Sequence, residues 1–123
     1  MIIFLPSPFF FGYDGATWHP KLIFISNDHK HNTSLIEHEK KHARQMEQDG
    51  WLTWWKNHIF DKEKRYQYEL EAYAISSIVK PYSFDWFVDF LKNNYNIDKT
   101  RQQVYEDLTA EIEKQRVGYA ITN

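Results

Sequence analysis

A chain of 123 residues, 42% hydrophobic and 18% aromatic, is the size of one domain with one core, and its 9 Phe, 8 Tyr and 5 Trp supply enough apolar area to exclude disorder. Fifteen Lys and Arg against 17 Asp and Glu give a net charge of −2, which offers no field for a polyanion, so neither nucleic acid nor an anionic membrane is expected as a partner. Cysteine is absent, which excludes disulfides, thiolate metal sites and cysteine nucleophiles and leaves any metal to His and carboxylates.

The apolar stretch from Met1 to Tyr13 carries Pro6 and Pro8, lacks a basic flank and is too short to span a bilayer. It reads as neither signal peptide nor anchor, as a cytoplasmic or virion-associated protein would require. Ile2, Ile3 and Phe4, then Phe9, Phe10 and Phe11, then Leu22 to Ile25 are short runs of β-formers, with a turn cluster at Gly12 to Gly15. They predict a hairpin or small antiparallel sheet. The polar stretch Ser26 to Thr33 ends it, and about four helices follow, an α+β arrangement. Ser34-Leu35-Ile36-Glu37 has the form of a capping box and Gly50 suits a C-terminal cap, predicting a helix over about 34–49. Trp51 to Phe60 reads as a short aromatic helix and turn. Asp61 can cap a long helix that reaches Lys80 before Pro81, and Ser83 can cap another near 84–95. Thr100-Arg101-Gln102-Gln103 is a second capping box, opening an amphipathic helix with Val104, Leu108 and Ile112 on one face and Gly118 beyond its end.

The chemistry is carried by His38-Glu39-Lys40-Lys41-His42. Histidines at i and i+4 lie on one helix face and can place two imidazole nitrogens on one Zn²⁺. Glu39, about 100° round the axis, is offset from that pair but placed to take a proton from water as general base. Leu35, Ile36, Ala43 and Met46 share this face, while Glu37, Lys40, Lys41, Arg44, Glu47 and Gln48 occupy the opposite half. The charged half is a solvated face. Glu39 does not belong to it, and a buried carboxylate without a partner is costly; a metal-bound water would supply one.

A catalytic zinc needs a third protein ligand. His29 and His31 read as exposed loop histidines, and His19 and His58 carry no partner pattern. Carboxylates are better placed: Glu69 and Glu71 stand in a segment apolar on nearly every face, Tyr68 to Ile75, as in a central buried helix. Glu71 has Gln67 one turn back and Lys64 two turns back, whereas Glu69 shares its face with Tyr66, Tyr73 and Ser76 and has only Arg65 at i−4. The contrast favours Glu69, and periodicity alone leaves both open.

Leu35 to Gln45 around the His-Glu-x-x-His, followed by Glu69-Leu70-Glu71-Ala72-Tyr73-Ala74, resembles the minimal gluzincin metallopeptidases, including small phage and bacterial forms. The resemblance covers residues 18–76. It implies a zincin-like domain with His38, His42 and Glu69 as zinc ligands, Glu39 as general base, and a peptide substrate added to an edge strand that Trp18 to Ile25, in particular Leu22 to Ile25, would supply. Many gluzincins place an Asp four residues after the ligand glutamate, and here that position is Tyr73. Tyr73 can accept from an imidazole or donate to an oxyanion, a role for which Tyr66 and Tyr68 are also candidates, although each equally fits core packing. Two other readings stand beside the peptidase. One is an inactive metal-stabilised interaction module, such as a component of a phage particle or other larger assembly, with an aromatic patch at Trp51, Trp54, Trp55 and Trp86. The other is a metal-free helical domain with His38 and His42 as packed core residues.

Overall fold

Leu22–Ser26 alternates side chains that face a neighbouring layer with side chains that do not, so Ile23 and Ile25 are buried while Leu22 and Phe24 are half-buried, as a strand with one covered face requires. The computed structural model describes residues 1–6, 14–95 and 97–122, with side chains to residue 118. The predicted strand run Phe9 to Phe11 and turn residue Gly12 lie outside the described residues. Three strands are present among those described: β1 (Ile2–Leu5), β2 (Gly15–His19) and β3 (Leu22–Ser26), in the order β1-β3-β2. Of the predicted runs, Ile2 to Phe4 and Leu22 to Ile25 are strands; the hairpin partner of Leu22 to Ile25 is β2, which starts at the Gly15 read as turn, and β1 pairs parallel to β3, so the sheet is mixed rather than purely antiparallel. The amino terminus reinforces the parallel pair, donating to the Lys21 carbonyl at 2.8 Å, while the Met1 carbonyl accepts from the Ile23 amide at 2.9 Å. Leu22 to Ile25 is therefore the central strand. The expectation that it forms an exposed edge is corrected, because β1 and β2 take up both of its sides; among the described residues the edge beside the histidine-bearing helix is β2.

Five helices follow: α1 (Thr33–Asp49), α2 (Trp51–Phe60), α3 (Lys62–Val79), α4 (Phe84–Asn94) and α5 (Arg101–Thr122), with 3-10 turns at Asn27–His29 and Pro81–Ser83. The α+β class holds. Helix α1 is capped by Asn32, not Ser34: the Asn32 side chain accepts from the Leu35 amide at 3.1 Å, and Ser34, one position into the helix, turns its hydroxyl to the Ser76 carbonyl of α3. Gly50 adopts φ +88°, a left-handed conformation that lets α2 begin directly where α1 ends. Asp61 caps α3 as predicted, accepting from the Lys64 amide at 3.1 Å. Thr100 and Gln103 form the predicted reciprocal box, at 3.1 and 2.8 Å. Ser83 makes no side-chain cap, because it is consumed in the turn that begins at Pro81. Gly118 does not end α5; the helix continues to Thr122, and a side chain at Gly118 would meet nothing within 4 Å.

Helix α3 is central, packing against α1, α2, α4 and α5, and this is why its polar as well as its apolar residues are buried. The apolar packing falls into three groups. Ile23, Ile25 and Ala43 join the sheet to α1; Met46, Trp54 and Tyr68 join α1, α2 and α3; Leu70, Val88, Leu91, Val104 and Leu108 join α3, α4 and α5. Trp54 is thus a core residue, not part of an exposed patch with Trp51 and Trp86, since its ring is stacked between Tyr68 and His58. No helix is long and apolar enough to cross a membrane among the described residues.

Candidate metal centre

Histidines one helical turn apart on α1 and a glutamate on the buried face of α3 meet because α1 and α3 pack face to face. His38, His42 and Glu69 are each 4–6% exposed, and one donor atom from each lies within 4.8 Å of the others. His38 Nε2 is 3.3 Å from Glu69 Oε2 and His42 Nε2 is 3.1 Å from Glu69 Oε1. Of the two glutamates left open by periodicity, Glu69 is the one in the cluster. Glu71 points away and accepts from Gln45 at 3.0 Å and Gln67 at 2.9 Å.

The far nitrogens are held as well. His42 Nδ1 lies 2.9 Å from Gln45 Oε1, and His38 Nδ1 lies 3.4 Å from Ser76 Oγ. The Ser76 hydroxyl donates to the Ser34 carbonyl at 3.2 Å, so it turns a lone pair towards His38. Both imidazoles are therefore oriented with Nε2 towards Glu69. Two imidazole nitrogens and one carboxylate, turned inward and anchored from behind, form a donor set that could hold a divalent metal ion.

Burial disfavours charge on these groups, but each supplies the other's counter-charge. His42 loses hydration, yet the facing Glu69 carboxylate, helped by its hydrogen bond and by the charge of Glu39, holds the imidazole up to about 9. Burial likewise works against the Glu69 carboxylate, and His42, with hydrogen bonds from His38, His42 and His58, keeps it well below the usual range.

Glu39 is buried and sits at the sheet side of this cluster. Thr17 on β2 donates to its Oε2 at 2.7 Å, with the Glu39 carbonyl 2.8 Å from the same hydroxyl. Gly15, two residues earlier on the same strand face, leaves the room: a Cβ there would stand 3.4 Å from Glu39 Cγ and 3.1 Å from Ile25 Cδ1. The partner seen for this carboxylate is thus a threonine hydroxyl, where the sequence points to a metal-bound water.

Tyr73 packs its ring edge-on against His38, with centroids 4.4 Å apart, while Ser76 lies behind His38, in the first of the two roles open to the tyrosine hydroxyl. Its hydroxyl is instead hydrogen-bonded to Tyr95, and burial together with the Glu69 charge pushes its pKa far up. Tyr66 and Tyr68 are committed elsewhere, donating to Asp107 and Asp49 respectively. Four residues of this neighbourhood escaped the sequence reading. Tyr95, just past α4, donates to Glu69 Oε2 at 3.2 Å, and no local pattern marks it. His58, stacked on Trp54, puts Nε2 3.3 Å from Glu69 Oε1; its signal is the i, i+4 spacing from Trp54. Gln45 is three residues after His42, on the same face. Thr17 carries no mark beyond strand alternation. Of the other histidines, His29 pairs with exposed Asp14 at 3.2 Å and His31 is exposed, as read from the loop.

Compared with protein-family models, curated proteins and solved structures, the chain matches none of them.

Proposed function

We propose that the chain is a zinc-dependent peptidase with His38, His42 and Glu69 as the ligands and Glu39 as general base. The observation that carries this reading is the buried Glu39 carboxylate, which is set beside a buried His-His-Glu cluster and tied to an edge strand. Zinc in such a donor set supplies Lewis-acid polarisation of a peptide carbonyl and acidifies water. The remaining work falls to the chain. Glu39 takes a proton from the attacking water and returns it to the departing amine, with Thr17 holding Oε2 so that the other oxygen faces the exchange. The Tyr73 hydroxyl, close enough to feel the Glu69 charge, offers a donor to the developing oxyanion, while Tyr95 gives its proton to Glu69 Oε2. β2, which has β3 on one side, presents its other edge to an extended peptide substrate, and Thr17 places that edge against Glu39.

The test is zinc per chain in protein purified without added metal, followed by peptide-library hydrolysis. About one zinc in wild type, lost in His42→Ala and Glu69→Ala, with hydrolysis that Glu39→Gln reduces at least about 100-fold while keeping the metal, is the expected result. Zinc without any hydrolysis sinks the peptidase and leaves the second reading. That reading, a metal-stabilised interaction module within a larger assembly, draws on His58: a further imidazole beside Glu69 could close the position that a catalytic zinc leaves open.

A further inference from the structure

We infer that Gln45 is the positioning residue that fixes the tautomer of His42, and that Glu71, the glutamate left out of the cluster, is what holds Gln45 in place. The inference rests on the reading of His38, His42 and Glu69 as a metal site. Gln45 is 2% exposed, and its amide is fully engaged. Its NH₂ donates to the Tyr68 carbonyl at 2.9 Å and to Glu71 Oε1 at 3.0 Å, both of which only accept. Its oxygen lies 3.2 Å from Trp54 Nε1, which only donates, and 2.9 Å from His42 Nδ1. Three one-way partners permit a single orientation of the amide, with the oxygen towards His42. His42 must then carry its proton on Nδ1, and in the neutral ring the lone pair is left on Nε2, the nitrogen that faces Glu69. A ligand histidine in the other tautomer would present an N–H to the metal and could not bind it. Glu71 is itself steadied by Gln67 Nε2 at 2.9 Å, so a relay of fixed polarity runs from Gln67 through Glu71 and Gln45 to His42. Both glutamates of Glu69-Leu70-Glu71 therefore serve the site, one facing the ion and the other behind it, linked through Gln45 and His42.

The experiment measures zinc affinity by competition with a chromophoric chelator, and the visible spectrum of the Co²⁺ form, for wild type, Gln45→Met and the exchanged pair Gln45→Glu with Glu71→Gln. Melting of the metal-free chain runs beside them as the folding control. The exchanged pair keeps the polarity towards His42. The carboxylate it puts at position 45 accepts from His42 and Trp54, and the amide it puts at position 71 donates to that carboxylate and accepts from Gln67; the bond to the Tyr68 carbonyl is replaced by two facing acceptors, a cost to stability that the metal-free melt reads. Gln45→Met should weaken zinc binding about 10- to 100-fold and alter the Co²⁺ bands, and the exchanged pair should bind within about threefold of wild type or tighter. Met fills nearly the same space as Gln, so loss in Gln45→Met together with retention in the exchanged pair is not expected of a residue that merely fills space. Gln45→Met that folds and binds within about threefold of wild type overturns the inference. If Gln45→Met does not fold, the exchanged pair decides alone, and its failure to bind while still melting cooperatively overturns the inference equally. A wild-type chain that takes up no zinc or Co²⁺ sinks the metal-centre reading and this inference with it.

Discussion

Replacing Thr17 by Val keeps the shape of a buried strand residue and removes the single hydroxyl that faces both Glu39 Oε2 at 2.7 Å and the Glu39 carbonyl at 2.8 Å. One proton serves two acceptors here, and the carboxylate, being charged, takes the larger share. A hydrogen bond to a charged group contributes about 1.5–3 kcal/mol, and a buried carboxylate oxygen left without it has no water to turn to. For 123 residues the unfolding entropy near 60 °C is about 0.26 kcal/mol/K, so the loss lowers Tm by about 6–12 °C. The assay is urea and thermal unfolding in chelator, taken as a double-mutant cycle with Glu39→Leu. The cycle isolates the pair from the packing change of each single variant. A coupling of about 1.5–3 kcal/mol is expected, and a coupling below about 0.5 kcal/mol would refute the argument that this hydroxyl is what allows Glu39 to be buried. Thr17→Val should also keep its full zinc content, because Thr17 touches none of the three proposed ligands.

In the metal-free chain the His42 pKa, raised from 6.5 to about 9, stabilises the fold fully below pH 6.5, and that contribution is lost as pH rises through 9. Zinc must displace this proton, so binding at about pH 7.5 releases about one proton from His42 and tightens about tenfold per pH unit between about 6.5 and 8. Titration calorimetry in buffers of different ionisation enthalpy measures it, and heats that do not change with buffer count against the geometry. The two proposed caps on α4 and α5 should part company: Thr100→Ala removes a bond to the Gln103 amide and costs about 1 kcal/mol in urea unfolding, while Ser83→Ala, with no such bond, costs less than about 0.5 kcal/mol.

Local signals were legible wherever the chemistry is local. Asp61 and Thr100 with Gln103 cap their helices as their spacing indicates, and Gly50 turns at the break between two of them, since each requires partners only a few residues away. The same signals misled where a tertiary partner competed. Ser34 has the form of a cap, yet the Ser76 carbonyl of α3 claims its hydroxyl and Asn32 takes over the helix end. Trp54 reads like its exposed neighbours until Tyr68 and His58 are stacked on its two faces. The parallel placement of β1 was invisible because register between distant strands is decided by which faces the helices cover, not by either strand's own residues.

By itself the sequence determined the α+β class and the pairing of two histidines on one helical face with a glutamate beside them, because a period of 3.6 residues is a property of the backbone. It narrowed the distant carboxylate to two neighbours on one helix and could go no further. Only tertiary packing decided the rest: α1 against α3 chose Glu69 and sent Glu71 to Gln45, β2 against α1 set Thr17 on Glu39, and α2 and the end of α4 against α3 brought His58 and Tyr95 to Glu69. Each of these contacts joins residues at least 11 positions apart along the chain. What brings them together is the burial of apolar faces of different helices and strands, a global choice that no local spacing records.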